Sequence, residues 1–142
     1  MPELLGGDGM NDASTASSTE QNRALIAEML GTKKRLEDYP DRVDPNILMH
    51  EPKSLPFGGT YRGLEDFKRF YAKVRDYYDF NTWELVDVIA QGDIVFSTSH
   101  VRVAGQPVTM HIAERFRFSG STLVEVRVFI SEAPTSRPTE PL

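Results

Sequence analysis

Two glutamates stand where alternation along a β-strand would bury them, and a buried carboxyl group can exchange a proton with a bound molecule. Glu114 shares one side of its strand with five apolar residues. These are Val108, Met110, Ile112, Phe116 and Phe118. A carboxylate on that side is unfavourable unless it is paired or its pKa rises. Glu114 is therefore a candidate general acid or base.

Glu51 shows the same pattern on an earlier strand. Ile47, Met49 and Glu51 alternate onto one side of a short strand that ends at Pro52. If the two strands share a sheet, Glu51 and Glu114 face one cavity. We expect these two residues to be the catalytic pair.

The hairpin that contains Glu114 predicts its neighbours. With Ala104 and Gly105 as a two-residue turn, the predicted cross-strand pairs are Val95 with Glu114, Ser97 with Ile112, and Ser99 with Met110. Serines and a glutamate among apolar residues are typical of a pocket that orients a polar group. The predicted substrate-binding residues are Phe57, Tyr61, Phe67, Phe70, Tyr71, Trp83, Val95, Ser97, Ser99, Met110, Ile112 and Phe116.

Other interpretations remain open at this point. Glu114 could pair with an arginine such as Arg62 or Arg69, or a bulge could turn it outward. His100 and His111 are predicted to lie diagonally across the hairpin on its outer face, but the sequence offers no third metal ligand beside them. We therefore expect no metal and no cofactor.

The elements that must position these residues follow from the periodicity. Ser17 and Glu20 have capping-box spacing before a first helix, and a short second helix is predicted over 33–38, before Pro40. A strand over 47–51 is followed by a Pro- and Gly-rich loop over 54–63. A long helix from Leu64 to Tyr78 precedes four strands, over 82–90, 94–103, 107–118 and 123–131. Short turns make these strands antiparallel, and helices gathered before them indicate an α+β fold.

Length and charge restrict the function. A chain of 142 residues with a net charge of −5 is one domain, and it lacks the basic surface of a nucleic-acid-binding protein. It has no cysteine, no apolar run long enough to span a membrane and no secretory signal, so we expect a cytoplasmic protein.

The predicted domain covers 18–133, and we expect disordered tails over 1–17 and 134–142. We expect the outer face of the sheet to include Phe96, Leu123 and Phe129. Because these apolar residues would otherwise be exposed, we predict a homodimer that covers this face.

The order of elements resembles the nuclear-transport-factor-2-like superfamily. Within it, residues 18–133 are most similar to the SnoaL-like and ketosteroid-isomerase-related branch. The resemblance implies a cone-shaped α+β barrel, in which a curved, mainly antiparallel sheet wraps around the N-terminal helices and a long third helix. It also implies pairing of two copies through the outer sheet face.

Short motifs connect this sequence to the branch. Ketosteroid isomerases carry an acid before a proline at the end of the first strand, where Glu51 precedes Pro52. They carry a second acid on a long strand after a Gly-Gln-Pro turn, where Glu114 follows Gly105-Gln106-Pro107. A tyrosine beside a phenylalanine on the long helix matches Tyr71.

The resemblance implies a chemistry for the pair. Glu51 would abstract a proton beside a carbonyl, and a protonated Glu114 would donate a hydrogen bond to the enolate oxygen. That division of labour is the one known for ketosteroid isomerase itself. The expected protein is an isomerase, polyketide cyclase or dehydratase that acts on a small hydrophobic carbonyl compound. The alternative is a non-catalytic ligand-binding or protein-interaction module. Ketosteroid isomerases carry the tyrosine of their oxyanion hole on the first helix, and its absence near Ala27 favours this alternative.

Overall fold

The computed structural model describes residues 18–131. The predicted tails, the capping residue Ser17 and the domain end near 133 lie outside these residues. No helix among them is long and apolar enough to cross a membrane.

Two α-helices pack on one side of a sheet. The first, α1, runs over 18–31 and buries Leu25, Ile26 and Met29 at i, i+1 and i+4 positions. Its Asn22 donates to the Gly120 carbonyl oxygen at 3.0 Å, which fixes the helix to the far end of the sheet. The helix predicted over 33–38 is wrong, because only a 3-10 turn over Leu36–Asp38 forms there.

The second helix, α2 (Gly63–Tyr77), agrees with the predicted long helix except at its end. Tyr78 has an extended backbone and begins the next strand without an intervening loop. Phe67, Phe70 and Val74 are buried at spacings of three and four residues, so one face of α2 packs into the core.

Six strands form one curved, open, mixed sheet. In chain order they are β1 (Val43–Glu51), β2 (Gly59–Arg62), β3 (Tyr78–Gln91), β4 (Ile94–Val103), β5 (Thr109–Ser119) and β6 (Thr122–Ile130). Their spatial order is β2-β1-β6-β5-β4-β3, so β1 and β6 are the one parallel pair. The α+β fold predicted from the sequence is confirmed.

The segment predicted as a loop contains the short strand β2, which sequence analysis missed. Tyr61 pairs with Met49 and Gly59 pairs with Glu51 across the β1–β2 ladder. Two tight turns precede β2, and a side chain on Gly58 would meet the Pro52 carbonyl oxygen at 2.2 Å. Glycine is therefore required at position 58, and a strand this short is not distinguishable from a loop by alternation.

The predicted register of the β4–β5 hairpin is wrong by two residues. Val103 donates to the Val108 carbonyl oxygen, so the connection has four residues and not two. Gln106 donates to the Val103 carbonyl oxygen at 3.1 Å within this connection, and the ladder begins at the pair of Arg102 and Thr109. The observed pairs are Val95 with Phe116, Ser97 with Glu114, Ser99 with Ile112, and His100 with His111. Because side chains alternate with a period of two, a shift of two keeps every residue on its predicted face.

Leu123 does not belong to the outer face as predicted. It is fully buried, and a register irregularity between Arg117 and Phe118 separates it from the outward residues of β6. A bulge adds one residue to a strand, so the residues before it and after it alternate onto opposite faces. The prediction for Leu123 assumed unbroken alternation from Phe129, and the bulge lies between these two residues. Phe96 and Phe129 are exposed, with 37% and 43% of their surfaces accessible.

Candidate functional site

A cavity of about 340 Å³ lies between the inner face of the sheet and the two helices. Its volume is at the lower end of the range typical of sites for small organic molecules. Its wall is mainly apolar, and among residues 18–131 the only carboxyl groups on it are those of Glu51 and Glu114. The described structure thus brings both predicted acids to one cavity, although it does not test their roles.

Glu51 is the last residue of β1, and only 9% of its surface is exposed. Ile47 and Met49 precede it on the same buried face. Its partner across the ladder is Gly59, which has no side chain to cover it. Burial, followed by the charge of Glu114, raises the pKa of Glu51 to about 8.

Glu114 lies in the middle of β5, between Ser97 on β4 and Val128 on β6. Its Oε1 atom is buried and has no hydrogen-bond partner among the described residues. Burial raises the pKa of this carboxyl group to about 7. The alternative of an arginine partner is not observed, because Arg69 pairs with Asp66 on α2 and Arg62 makes no ion pair within 18–131.

The predicted wall residues divide into two sets. Six of them line the cavity: Phe57, Phe70, Tyr71, Trp83, Ile112 and Phe116. The other six are buried in the core without reaching its wall: Tyr61, Phe67, Val95, Ser97, Ser99 and Met110. Parity predicts which face a residue takes, but the packing of the helices decides which part of that face stays open.

Ser97 and Ser99 are nearly fully buried although they do not line the cavity. Their hydroxyl oxygens have no hydrogen-bond partner among the described residues. Ser97 faces Glu114 directly across the β4–β5 pair, so unpartnered polar atoms of β4 and β5 lie together behind the cavity wall.

Tyr61 and Tyr71, both predicted to bind substrate, are not equivalent. Tyr61 donates its hydroxyl to the Phe57 carbonyl oxygen at 2.6 Å, so its proton is already used within the fold. The Tyr71 hydroxyl oxygen accepts from the Leu36 N–H at 3.3 Å, which leaves its own proton free to donate. Burial raises the pKa of Tyr71 to about 12, and this residue remains a neutral donor at the cavity wall.

Sequence analysis missed Tyr78 as a site residue. It lines the cavity and is 5% exposed, and its pKa is raised by burial and by the charges of Glu51 and Glu114. Its hydroxyl makes no hydrogen bond within 18–131 and is electrostatically coupled to both acids. The helical periodicity could have indicated this residue, since Tyr78 is the last apolar position of the predicted long helix. Met29, Leu36, Met49, Val74, Phe80, Val126 and Val128 were also missed on the wall.

Basic side chains surround the opening of the cavity. Lys33, Lys34 and Arg35 follow the end of α1, and Arg75 lies in the last turn of α2. Lys33, Lys34 and Arg75 are exposed, whereas Glu51 is buried and the Oε1 atom of Glu114 is enclosed. The cations therefore mark the mouth and the acids mark the interior.

The histidines lie away from the cavity. His100 and His111 face each other directly on the outer face, with ring centroids 5.7 Å apart, so the predicted diagonal placement is wrong by the same register shift. Within residues 18–131, no three His, Asp or Glu side chains are grouped as metal ligands. His50 contacts Glu125 at 2.9 Å, which links β1 to β6.

Comparison with known proteins agrees with this architecture. The sequence profile of the SnoaL-like domain family matches residues 23–126. The sequence has no match among curated proteins.

Solved structures provide further matches, all of low identity. An NTF2-like protein from Burkholderia thailandensis is 18% identical, with a TM-score of 0.66 over 78% of this chain and 90% of that one. A protein from Mesorhizobium loti, assigned provisionally as a SnoaL-like polyketide cyclase, is 14% identical, with a TM-score of 0.66 over 78% and 97%. A steroid delta-isomerase from Pseudomonas aeruginosa is 14% identical, with a TM-score of 0.61 over 81% and 80%. At these identities the likeness concerns the fold.

Proposed function

Because this chain belongs to the SnoaL-like domain family, we propose that it is a cofactor-independent acid/base enzyme that moves a proton on a small hydrophobic carbonyl compound. One observation carries the proposal: two buried carboxyl groups line a single apolar cavity, and the pKa of each is raised toward neutrality. Enolisation needs one base and one hydrogen-bond donor, which such a pair supplies without a metal or an organic cofactor. Isomerisation, aldol cyclisation and dehydration all proceed through such a step.

Near neutral pH the pair can hold one proton, because burial raises the pKa of both carboxyl groups and the charge of Glu114 raises that of Glu51 further. One carboxylate is then free to abstract a proton, and the other carboxylic acid can donate to the enolate oxygen. The resemblance assigns the base to Glu51. Tyr78 and Tyr71 supply neutral hydroxyl donors on the same wall.

The test is exchange of α-protons of hydrophobic ketones in deuterated buffer, followed by NMR. Glutamine keeps the shape and can donate through its amide, but it cannot act as a base. The Gln variant of the base should lose about a hundredfold or more in exchange rate. Glu51→Gln therefore carries the large loss if Glu51 is the base, and Glu114→Gln carries it if Glu114 is the base.

Glu65→Gln is the matched control, because Glu65 is exposed on α2 and does not line the cavity. It should leave the exchange rate unchanged. Equal rates in the parent protein, Glu51→Gln and Glu114→Gln would contradict the proposal. They would favour the non-catalytic binding module, provided that ketones still change the fluorescence of Trp83.

A further inference from the structure

We propose that the ligand of this cavity is an amphipathic acid, with an apolar body that fills the interior and an anionic group that remains at the mouth beside Lys33 and Arg75. The inference deepens the proposed function and rests on it for the identification of this cavity as the ligand site. It names a substrate class, because a neutral ketone uses only the interior.

The distribution of charge along the cavity is the first argument. The chain as a whole carries a net charge of −5, yet every charged side chain that residues 18–131 place on the exposed part of the cavity wall is basic. The acidic residues of the wall are Glu51, which is buried, and Glu114, which is half-buried with its Oε1 atom enclosed. A ligand that enters with an apolar end therefore leaves its other end among cations.

Two of these cations have no acidic partner within residues 18–131. Lys34 lies 3.5 Å from Glu28, and Arg35 lies 3.9 Å from Glu37 and over the ring of Tyr71. Among residues 18–131, Lys33 and Arg75 make no ion pair. Their charges are available to a ligand anion.

A structural role for these residues must be separated from a binding role. They follow or end α1 and α2, where basic side chains stabilise the helix C-terminus. Three of the last four carbonyl oxygens of α1 already have partners, since Thr32 donates to Glu28, Lys34 donates to Met29, and the Trp83 indole donates to Leu30. A purely structural role predicts that removal of the charges lowers stability without changing ligand preference.

The experiment compares two probes that differ only in charge. Benzoylbutyrate is a phenyl ketone with a carboxylate at the end of a short chain, and its primary amide is a neutral analogue. Trp83 lines the cavity and is the only tryptophan of the chain, so its fluorescence reports binding of both. We expect the acid to bind about three- to tenfold more tightly than the amide at low salt, with the difference shrinking as salt is added.

The double variant Lys33→Asn/Arg75→Gln should remove this preference and leave amide binding unchanged. Asparagine is chosen because Lys33 has a φ of 60°, a conformation that asparagine tolerates. Lys68→Gln/Lys73→Gln removes two charges from exposed positions of α2 that do not line the cavity, and it should retain the preference. Thermal melts of both double variants show whether each is folded.

Equal affinity for acid and amide in the parent protein would overturn the inference while leaving the proton-transfer proposal intact. A preference that survives in Lys33→Asn/Arg75→Gln would overturn it as well. Preference for the acid together with an absence of proton exchange on any ketone would support the inference and contradict the proposed function.

Discussion

Ser97 lies directly opposite Glu114 across the β4–β5 pair, and the Ser97 hydroxyl oxygen and Glu114 Oε1 are both buried without a hydrogen-bond partner in the described part of the chain. Two polar groups therefore face each other on the core side of the sheet without a bond between them. An unpartnered buried hydroxyl lowers stability. The arrangement thus reduces the stability of the fold at the place where one acid meets the cavity.

Replacement of Ser97 by alanine should leave the free energy of unfolding unchanged or raise it by up to about 1 kcal/mol, because it removes a buried polar atom with no partner. Thr82→Val is the comparison. The Thr82 hydroxyl donates to the Asp79 carbonyl oxygen at 2.7 Å and accepts from the Arg102 N–H at 2.9 Å. That variant should lose about 1–2 kcal/mol in urea unfolding. A similar loss in Ser97→Ala would show that the Ser97 hydroxyl has a partner in solution.

The stability of the protein should fall as the pH rises from about 4.5 to about 8. The pKa values of Glu51 and Glu114 lie above the ordinary value of 4.5 in the folded chain, so the folded state holds more protons than the unfolded state over this range. Their stabilising protons are fully present below about pH 4.5. Each group lowers the free energy of unfolding by at most about 1.4 kcal/mol per pH unit. Urea unfolding at a series of pH values measures the slope.

The variant Glu114→Gln should flatten this slope and be more stable than the parent protein at about pH 8, by roughly 1–3 kcal/mol. It removes one of the two buried groups that ionise. Glu65→Gln should retain the parent slope, since Glu65 is exposed. If the stability of the parent protein rises with pH over this range, or if Glu114→Gln leaves the pH dependence unchanged, the pKa values of the two acids are not raised in the folded state.

The charge of Glu114 is the second cause of the raised pKa of Glu51, after burial. Glu114→Gln should therefore lower the pKa of Glu51 without returning it to 4.5, because burial remains. Carboxyl carbon chemical shifts followed by NMR titration report this value. If the titration of Glu51 is the same in the parent protein and in the variant, the two carboxyl groups do not interact.

Glu125 joins β1 to β6 on the face opposite the cavity. It contacts His50 at 2.9 Å and Arg117 at 3.1 Å, and these partners hold its pKa below the ordinary value. Because the pKa of Glu125 is lower in the folded state than in the unfolded state, its ionised form stabilises the fold at pH values above about 4.5. This contribution is lost as the pH falls below about 4.5 and Glu125 takes up a proton. Glu125→Gln should lower stability by about 1 kcal/mol at neutral pH and have little effect near pH 3. Equal losses at both pH values would contradict the ion-pair role.

The homodimer remains a prediction, and we propose that it forms through the outer face of the sheet. Phe96, Phe129 and Ile89 expose apolar surface there, with Ile89 and Phe96 paired across β3 and β4. Sedimentation velocity at micromolar concentration should give a dimer, and Phe129→Asp should shift it to monomer. Lys73→Asp, on the exposed side of α2, should have no effect. A monomer in the parent protein would rule out the interface.

The sequence by itself determined which side of β1, β4 and β5 faces the core, and from this the convergence of Glu51 and Glu114. Alternation depends only on the period of two along a strand, so it survived an error of two residues in the β4–β5 register. It failed at Leu123, where a bulge in β6 adds a residue to one strand. The periodicity of α2 likewise predicted its buried residues Phe67, Phe70 and Val74.

Only the tertiary structure decided which buried residues remain at an open cavity. Phe67 and Phe70 lie on the same face of α2, yet Phe70 lines the cavity and Phe67 is enclosed by the core. Local periodicity cannot distinguish them, because the difference depends on how α1, α2 and the curved sheet pack at long range. The same packing placed Tyr78 near both acids and gathered Lys33 and Arg75 at one mouth, although 42 positions separate these two residues in the chain.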